Sequence, residues 1–313
     1  MSCYSSLYTR IQDAASKRLI RERRLSWEKP PVFEAAFFEV VNQCNSRCEF
    51  CSASVQNDTR ERREMSFALY SMIIEQLVQM NFSGRVAYHV ANDPLVFGEL
   101  ESFTAHARAR LPRCWIQIMT NGIALTPKRG EALIESGIDE LYINFYKTSR
   151  TQALYPNIAK FLADVLEKRF PRKRGAIYTS GDGKAHLKFT LSPRRVTEVL
   201  WSRGGTSPNK GQDDARVRGF CLYPWTQLNI STDGLVSKCC ADTHFTDVMG
   251  DLKEESLAAV WNGARLTHVR NALMRGDRLS LPGCRQCDYF GVPTSAISNL
   301  PLKAVKYHLF AKY

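Results

Sequence analysis

Three cysteines, Cys44, Cys48 and Cys51, follow an apolar run from Phe33 to Val41 in the spacing Cys-x3-Cys-x2-Cys. Three thiolates that close together on one short loop can converge on a single soft metal centre, which constrains both the loop and the segment feeding it. They are one ligand too few for a closed four-iron cubane, so one iron is left open to bound chemistry. A structural zinc ion would want a fourth nitrogen or sulfur nearby, and the nearest histidine is His89. Three unligated core cysteines fit poorly, because Asn45, Ser46, Arg47 and Glu49 make the stretch polar.

From Phe33 onward the chain alternates short apolar runs with helical patterns. Phe33–Val41 reads as a buried strand. Ser66 is placed to cap a helix through Met80, with Leu69, Met72, Ile73, Leu77 and Met80 on one stripe. Strands are expected at Arg85–Val90, Trp115–Met119, Asp139–Tyr146 and His186–Leu191. Helices fall between them around Leu100–Arg110, at Pro127–Ser136 with proline in its first turn, and at Ile158–Lys168. Repeated strand–helix units imply parallel strands. Functional residues then sit at the carboxyl ends of the strands, where the cysteine loop lies. Residues 33–200 are read as an open, partial barrel. Before it, 1–32 forms a basic extension in which Tyr8–Arg24 suits a helix ended by Pro30-Pro31.

The cysteine spacing, with Phe50 just before the third cysteine, resembles the radical S-adenosylmethionine enzymes. The resemblance implies a [4Fe-4S] cluster on Cys44, Cys48 and Cys51 whose open iron is chelated by S-adenosylmethionine. Reductive cleavage then gives a 5'-deoxyadenosyl radical that takes a hydrogen atom from substrate, the protein supplying orientation. Two further segments match that family. Asn92-Asp93-Pro94, after the second strand, resembles the Gly-Gly-Glu-Pro segment that holds the methionyl amino group, with both glycines absent and aspartate for glutamate. Thr120-Asn121-Gly122, after the third, resembles the Thr-Asn-Gly corner beside the cofactor. On local pattern alone these are turn signals. Asn144, a polar residue in the apolar run Leu141–Phe145, reaches either ribose or substrate, or faces solvent from an edge strand. Lys188 and Thr190 share that ambiguity.

The last third holds Cys221, Cys239, Cys284 and Cys287, with an extra Cys240. Two alternating runs, Trp225–Ile230 and Leu235–Lys238, are joined through Asp233-Gly234, a hairpin signal that returns Cys239 toward Cys221. A helix over Ser256–Asn262 follows. Zinc sites usually present two close cysteine pairs, and only Cys284 and Cys287 are close here. The segment resembles the SPASM extension, and with no cysteine after Cys287 its one-cluster twitch form. That resemblance implies a second [4Fe-4S] cluster on Cys221, Cys239, Cys284 and Cys287. The expected fold is therefore α/β, a partial (β/α)6-type barrel with a small C-terminal α+β β-hairpin iron–sulfur domain. Boundaries are expected at 201–220 for a linker lining the substrate entrance, 221–298 for the twitch unit and 299–313 for a basic tail.

The resemblance implies an oxidoreductase in which the second cluster takes the electron from a small carbinol or sugar-like substrate, as in twitch-bearing aminocyclitol dehydrogenases. An alternative is epimerisation with Cys240 as hydrogen donor. Another is peptide modification, disfavoured because such enzymes usually carry two auxiliary clusters and often a leader-binding domain. A non-catalytic iron–sulfur electron carrier would have no need of an open three-cysteine site. Ten cysteines in a reducing compartment argue for metal ligation over disulfides. No apolar run reaches membrane-spanning length and no signal-peptide core is present, so a cytoplasmic protein is expected. The net charge of +12 is spread over Lys17–Arg24, Lys168–Arg174 and Lys303, Lys306 and Lys312. It suits a solvated surface or an acidic one-electron donor, a flavodoxin or ferredoxin, and lacks the aromatic-and-basic pattern of a nucleic-acid module.

Overall fold

β1, Ala35–Phe38, occupies the centre of the apolar run ahead of the first cysteines, and its residues split between two faces. The structure is a computed structural model that describes residues 14–26, 28–147, 155–199, 202–210, 219–289 and 291. The parallel strands β2 (Arg85–Tyr88), β3 (Trp115–Thr120) and β4 (Glu140–Lys147) continue the sheet in chain order. β5 (Arg172–Arg174) and β6 (Ile177–Thr179) form an antiparallel pair at one edge, and β7 (His186–Arg195) pairs in parallel with β4. On the other side β8 (Gln227–Ile230) lies parallel to β1, followed by antiparallel β9 (Leu235–Ser237) and β10 (Val248–Asp251). The order is β10-β9-β8-β1-β2-β3-β4-β7-β6-β5 in one sheet. Its six parallel strands, β8-β1-β2-β3-β4-β7, form the expected partial barrel, with the sixth strand drawn from the C-terminal third.

Alternation along the strands sorts the sequence into two faces. Ala36, Phe38, Val86, Tyr88, Ile116, Ile118, Leu141 and Ile143 point outward into the main core against the helices. The helix Phe67–Gln79 buries Tyr70, Ile73, Ile74 and Leu77 there. Its buried face is turned from the expected stripe, because Tyr70 reaches inward to share a hydrogen bond with Tyr88 (2.6 Å) and donate to the Phe103 carbonyl (3.0 Å). Ser66 caps this helix by accepting from the Leu69 amide, and Thr126 caps Pro127–Glu135 in the same way. Leu100–Arg110 follows β2, and Pro156–Phe161 runs on through a wide turn, Leu162–Leu166, into Glu167–Arg169.

Three expectations need revision. Tyr223–Thr226 is a helical turn, so the first hairpin strand starts only at Gln227. A second C-terminal helix, Ala264–Met274, follows Leu257–Asn262, and β5, β6 and β10 are additional strands. The basic stretch Arg172–Arg174 is an exposed edge strand. Residues 14–22 are helical, within the expected basic helix. Its first part, Cys3, the loop 211–218 and the basic tail lie outside the described residues. Among the described residues no helix is long and apolar enough to cross a membrane.

Candidate active site

The chain leaves β1 through Val40 and Val41, both fully buried, and turns into the cysteine loop. Local donors shape that loop around its thiols. The Ser46 amide approaches Cys44 Sγ at 3.4 Å, Ser46 Oγ lies 3.1 Å from Cys48 Sγ, and the Cys51 amide donates to the Cys48 carbonyl. Asn57 then ties back to the Cys51 carbonyl at 2.9 Å. Arg60 fastens the loop to the sheet through Asp58, Glu39 and the carbonyls of Asn42 and Ala91. Phe50 is buried, packs against Tyr146 at 5.8 Å, and its carbonyl accepts from Ser207 Oγ at 3.0 Å.

Cys44, Cys48 and Cys51 border one cavity at the carboxyl ends of β1 to β4. Asn92, Asp93, Thr120, Asn121 and Asn144 line it too, together with His89, Tyr146 and Arg203. Four strand ends thus deliver the expected side chains to one space. Asp93 spends its carboxylate on architecture. It accepts from Thr120 Oγ1 (2.8 and 2.9 Å), the Asn121 amide (2.6 Å) and the Leu95 amide (2.9 Å). Burial pushes this carboxyl upward, and those donors pull against it. Pro94 lies outside the cavity lining and starts the one-turn helix Pro94–Val96 that Asp93 caps. Asn121 directs its amide at Asn45 Oδ1 (2.7 Å) and Cys44 Sγ (3.6 Å). Asn92 uses Oδ1 to accept from the Val90 amide and leaves a buried Nδ2 without a protein partner.

The second cysteine set surrounds a different cavity. Cys221, Cys239, Cys284 and Cys287 all line it, with Lys238, Asp242, Arg278, Tyr223, Tyr289, Gly204 and Thr206. Cys240 does not line it, though its thiol is close to this set and bonds Gln227. The hairpin β8–β9 brings Cys239 back, and Gly234 takes the positive φ of its turn (85°). Buried Arg278 staples the rest by donating to the carbonyls of Gly219, Phe220 and Tyr289. Tyr223 and Tyr289 stack at 4.6 Å.

Both cavities suit a polynuclear thiolate-held group. All nine described cysteines are free. Burial pushes Cys44 up to about 12, Cys48 and Cys221 to about 11 and Cys284 to about 12, so without a metal these are neutral, unreactive thiols. Coordination would deprotonate them. Among the described residues no three His, Cys, Asp or Glu side chains converge on a point that one metal ion could fill. The thiols instead ring open space, which fits a cluster of several atoms better than a single zinc.

Gln117 and Asn229 put polar side chains on the cavity-facing side of the sheet. Gln117 lies between Trp115, which lines a wide opening at the other end of the barrel, and Met119, which lines the first cavity. Asn229 lies two residues after Gln227 on the same face of β8 and pairs in register with Phe37. Asn229 is fully buried with neither amide atom partnered, and Gln117 Oε1 and His89 Nδ1 are likewise unpartnered. Arg203 borders the first cavity while its neighbour Gly204 borders the second. Sequence reading marked the loop around Arg203 but not His89, Gln117, Asn229 or Arg60, whose neighbours are remote in the chain.

Comparison with known proteins covers both regions. The radical SAM superfamily model matches residues 38–167, and SPASM, an iron-sulfur cluster-binding domain, matches residues 221–288. The S-adenosyl-L-methionine-dependent 2-deoxy-scyllo-inosamine dehydrogenase of Niallia circulans is 28% identical over 265 residues, 84% of this chain and 96% of that protein. The GTP 3',8-cyclase of Mycobacterium ulcerans (strain Agy99) is 24% identical over 193 residues, 61% of this chain and 48% of the cyclase. Among solved structures, BtrN in complex with AdoMet and 2-DOIA superposes with a TM-score of 0.65 at 28% identity, covering 83% of this chain and 94% of that one.

Proposed function

The chain belongs to the radical SAM superfamily and carries a SPASM domain, and from that premise we propose that it dehydrogenates a carbinol of a small, sugar-like or aminocyclitol substrate. It is an oxidoreductase whose cofactors are S-adenosylmethionine and iron–sulfur clusters. Cys44, Cys48 and Cys51 are proposed to hold the first [4Fe-4S] cluster, and Cys221, Cys239, Cys284 and Cys287 the second. The barrel and twitch units are proposed to span 33–200 and 221–298, the barrel taking its sixth strand, β8, from the latter, with 201–220 as the linker and substrate loop. When bound, these groups would supply a 5'-deoxyadenosyl radical and a one-electron acceptor.

The chain's own residues do the positioning. Asn92 offers Nδ2 and Asn144 its amide to S-adenosylmethionine, while Asp93 holds the Asn92 turn against the Thr120-Asn121 corner. Phe50 and Tyr146 wall the first cavity. The observation that carries the substrate reading is the unpartnered buried polar atom of His89 in the first cavity, with those of Gln117 and Asn229 on the same side of the sheet. Buried amides without partners are costly, and a substrate rich in hydroxyl and amino groups would satisfy them. The substrate loses one hydrogen atom from carbon, one proton from its hydroxyl and one electron, and becomes a ketone. A one-electron donor of the flavodoxin or ferredoxin class is proposed to prime each turnover.

Cys240 carries a second reading, because its thiol is close enough to feel the charge of Arg203, which borders the first cavity, and from there it can return a hydrogen atom and give epimerisation. One experiment separates them. Anaerobically reconstituted enzyme with dithionite and S-adenosylmethionine is offered a panel of aminocyclitols and polyols in deuterated buffer. Dehydrogenation yields one ketone per 5'-deoxyadenosine, with no solvent deuterium on carbon and unaltered turnover in C240A. Deuterium on carbon that disappears in C240A makes it an epimerase. Absence of 5'-deoxyadenosine across the panel and with peptides overturns both.

A further inference from the structure

Lys238 directly follows β9 and precedes Cys239, yet it is only 3% exposed. Its side chain lines the second cavity beside all four cysteines. The ammonium lies close to the start of the Cys284 turn, where a Cβ built on Gly283 would stand 3.9 Å from Nζ. It is ion-paired with Asp247, whose own side chain keeps a quarter of its surface in solvent. The other buried cation on this wall, Arg278, is committed to three backbone carbonyls. Asp242, the acid that lines the cavity, is occupied by the amides of Thr246 and Asp247 and by Thr246 Oγ1.

Removing an ammonium from water is costly, and one partly solvated carboxylate offsets that cost incompletely. An anion in the cavity would complete the balance. Four thiolates around a [4Fe-4S] core are net negative, and reduction adds one more negative charge. A fixed cation in a low-dielectric wall stabilises the more negative state more strongly. We propose that Lys238 is a positioning residue that raises the reduction potential of the second cluster, so that it accepts the electron left on the substrate. This rests on the assignment of a cluster to Cys221, Cys239, Cys284 and Cys287.

The test is a redox titration of the reconstituted enzyme followed by electron paramagnetic resonance, with iron, sulfide and zinc analysis of each variant. K238M is expected to keep two clusters and to move the second midpoint to a more negative potential, leaving the first in place. K238R should stay close to the parent. D247N, which leaves the ammonium without its counter-charge, should move the second midpoint the opposite way. An unchanged second midpoint in K238M overturns the proposal. If K238M fails to hold the second cluster, D247N decides, and an unmoved midpoint there overturns it equally. A parent with about four iron atoms per chain and bound zinc would instead overturn the cluster assignment, and the proposal with it.

Discussion

His89 stands just after β2, partly buried, with the Phe37 ring edge-on at 4.8 Å and its Nδ1 enclosed and unpartnered. Burial, reinforced by the charges of Arg85 and Arg203, lowers its pKa from 6.5 to about 4. The imidazole is therefore neutral at physiological pH, able to donate or accept a hydrogen bond in the first cavity without placing a third cation there. The consequence for stability has a definite sign. Between pH 6.5 and 4 the unfolded chain binds this proton and the folded one does not, so the contribution is complete above pH 6.5 and is lost as pH falls toward 4. The depression corresponds to roughly 3 kcal/mol across that window. Replacing His89 with glutamine keeps a neutral polar group and removes the titration. Urea unfolding at pH 7.5 and 5.0 should show the parent losing more stability on acidification than H89Q, and equal losses would mean that the buried histidine is protonated in the fold.

At the scale of single elements, the cysteine loop depends on one guanidinium. Arg60 joins Asp58 on the loop, Glu39 just beyond β1 and the carbonyls of Asn42 and Ala91. Glu39 is 1% exposed, so R60M would strand a carboxyl with no comparable partner. The expected loss is about 3 kcal/mol, with faster loss of iron from the first site. The double variant R60M/E39Q should recover part of the stability, and calorimetry with iron-release kinetics checks both. None of this was legible from sequence, since Arg60 meets Ala91 and Glu39 only after the sheet forms. What was legible is local chemistry. Thiol spacing, the Ser66 cap, the proline opening Pro127–Glu135 and the Asp233-Gly234 turn each announce themselves within a few residues. The missed elements have no such pattern. Arg172–Arg174 carries three exposed cations on an edge strand, where charge guards an open sheet edge rather than alternating with apolar residues. Ala264–Met274 hides Arg270 in its buried face, where it donates to the carbonyls of Pro224 and Trp261. A helix reading based on apolar periodicity discounts such a residue.

Across the whole molecule, the two thiol-lined regions are built on one sheet. β8 gives β1 a parallel neighbour along its full length, from Ala35 opposite Gln227 to Phe38 opposite Ile230. Trp261 donates to the Pro31 carbonyl (3.0 Å) and packs edge-on against Phe33 at 5.0 Å. Ser52 beside the first cysteines shares a hydrogen bond with Thr243 (2.8 Å), and Ser207 bonds the Phe50 carbonyl. The strand that launches the first cysteine loop is therefore an interior strand only because the last third of the chain is present. A chain ending at residue 202 would expose the β1 edge and the apolar surface around Phe33 and leave the Phe50 carbonyl without its hydroxyl donor. An exposed parallel edge beside apolar surface promotes pairing between chains. The shortened chain should consequently elute as aggregate in size-exclusion chromatography, and it should retain little iron after anaerobic reconstitution. A soluble monomer with a full three-thiol cluster would show that the barrel closes its own edge. It would also mean that the C-terminal third contributes to catalysis alone and not to the fold of the first site.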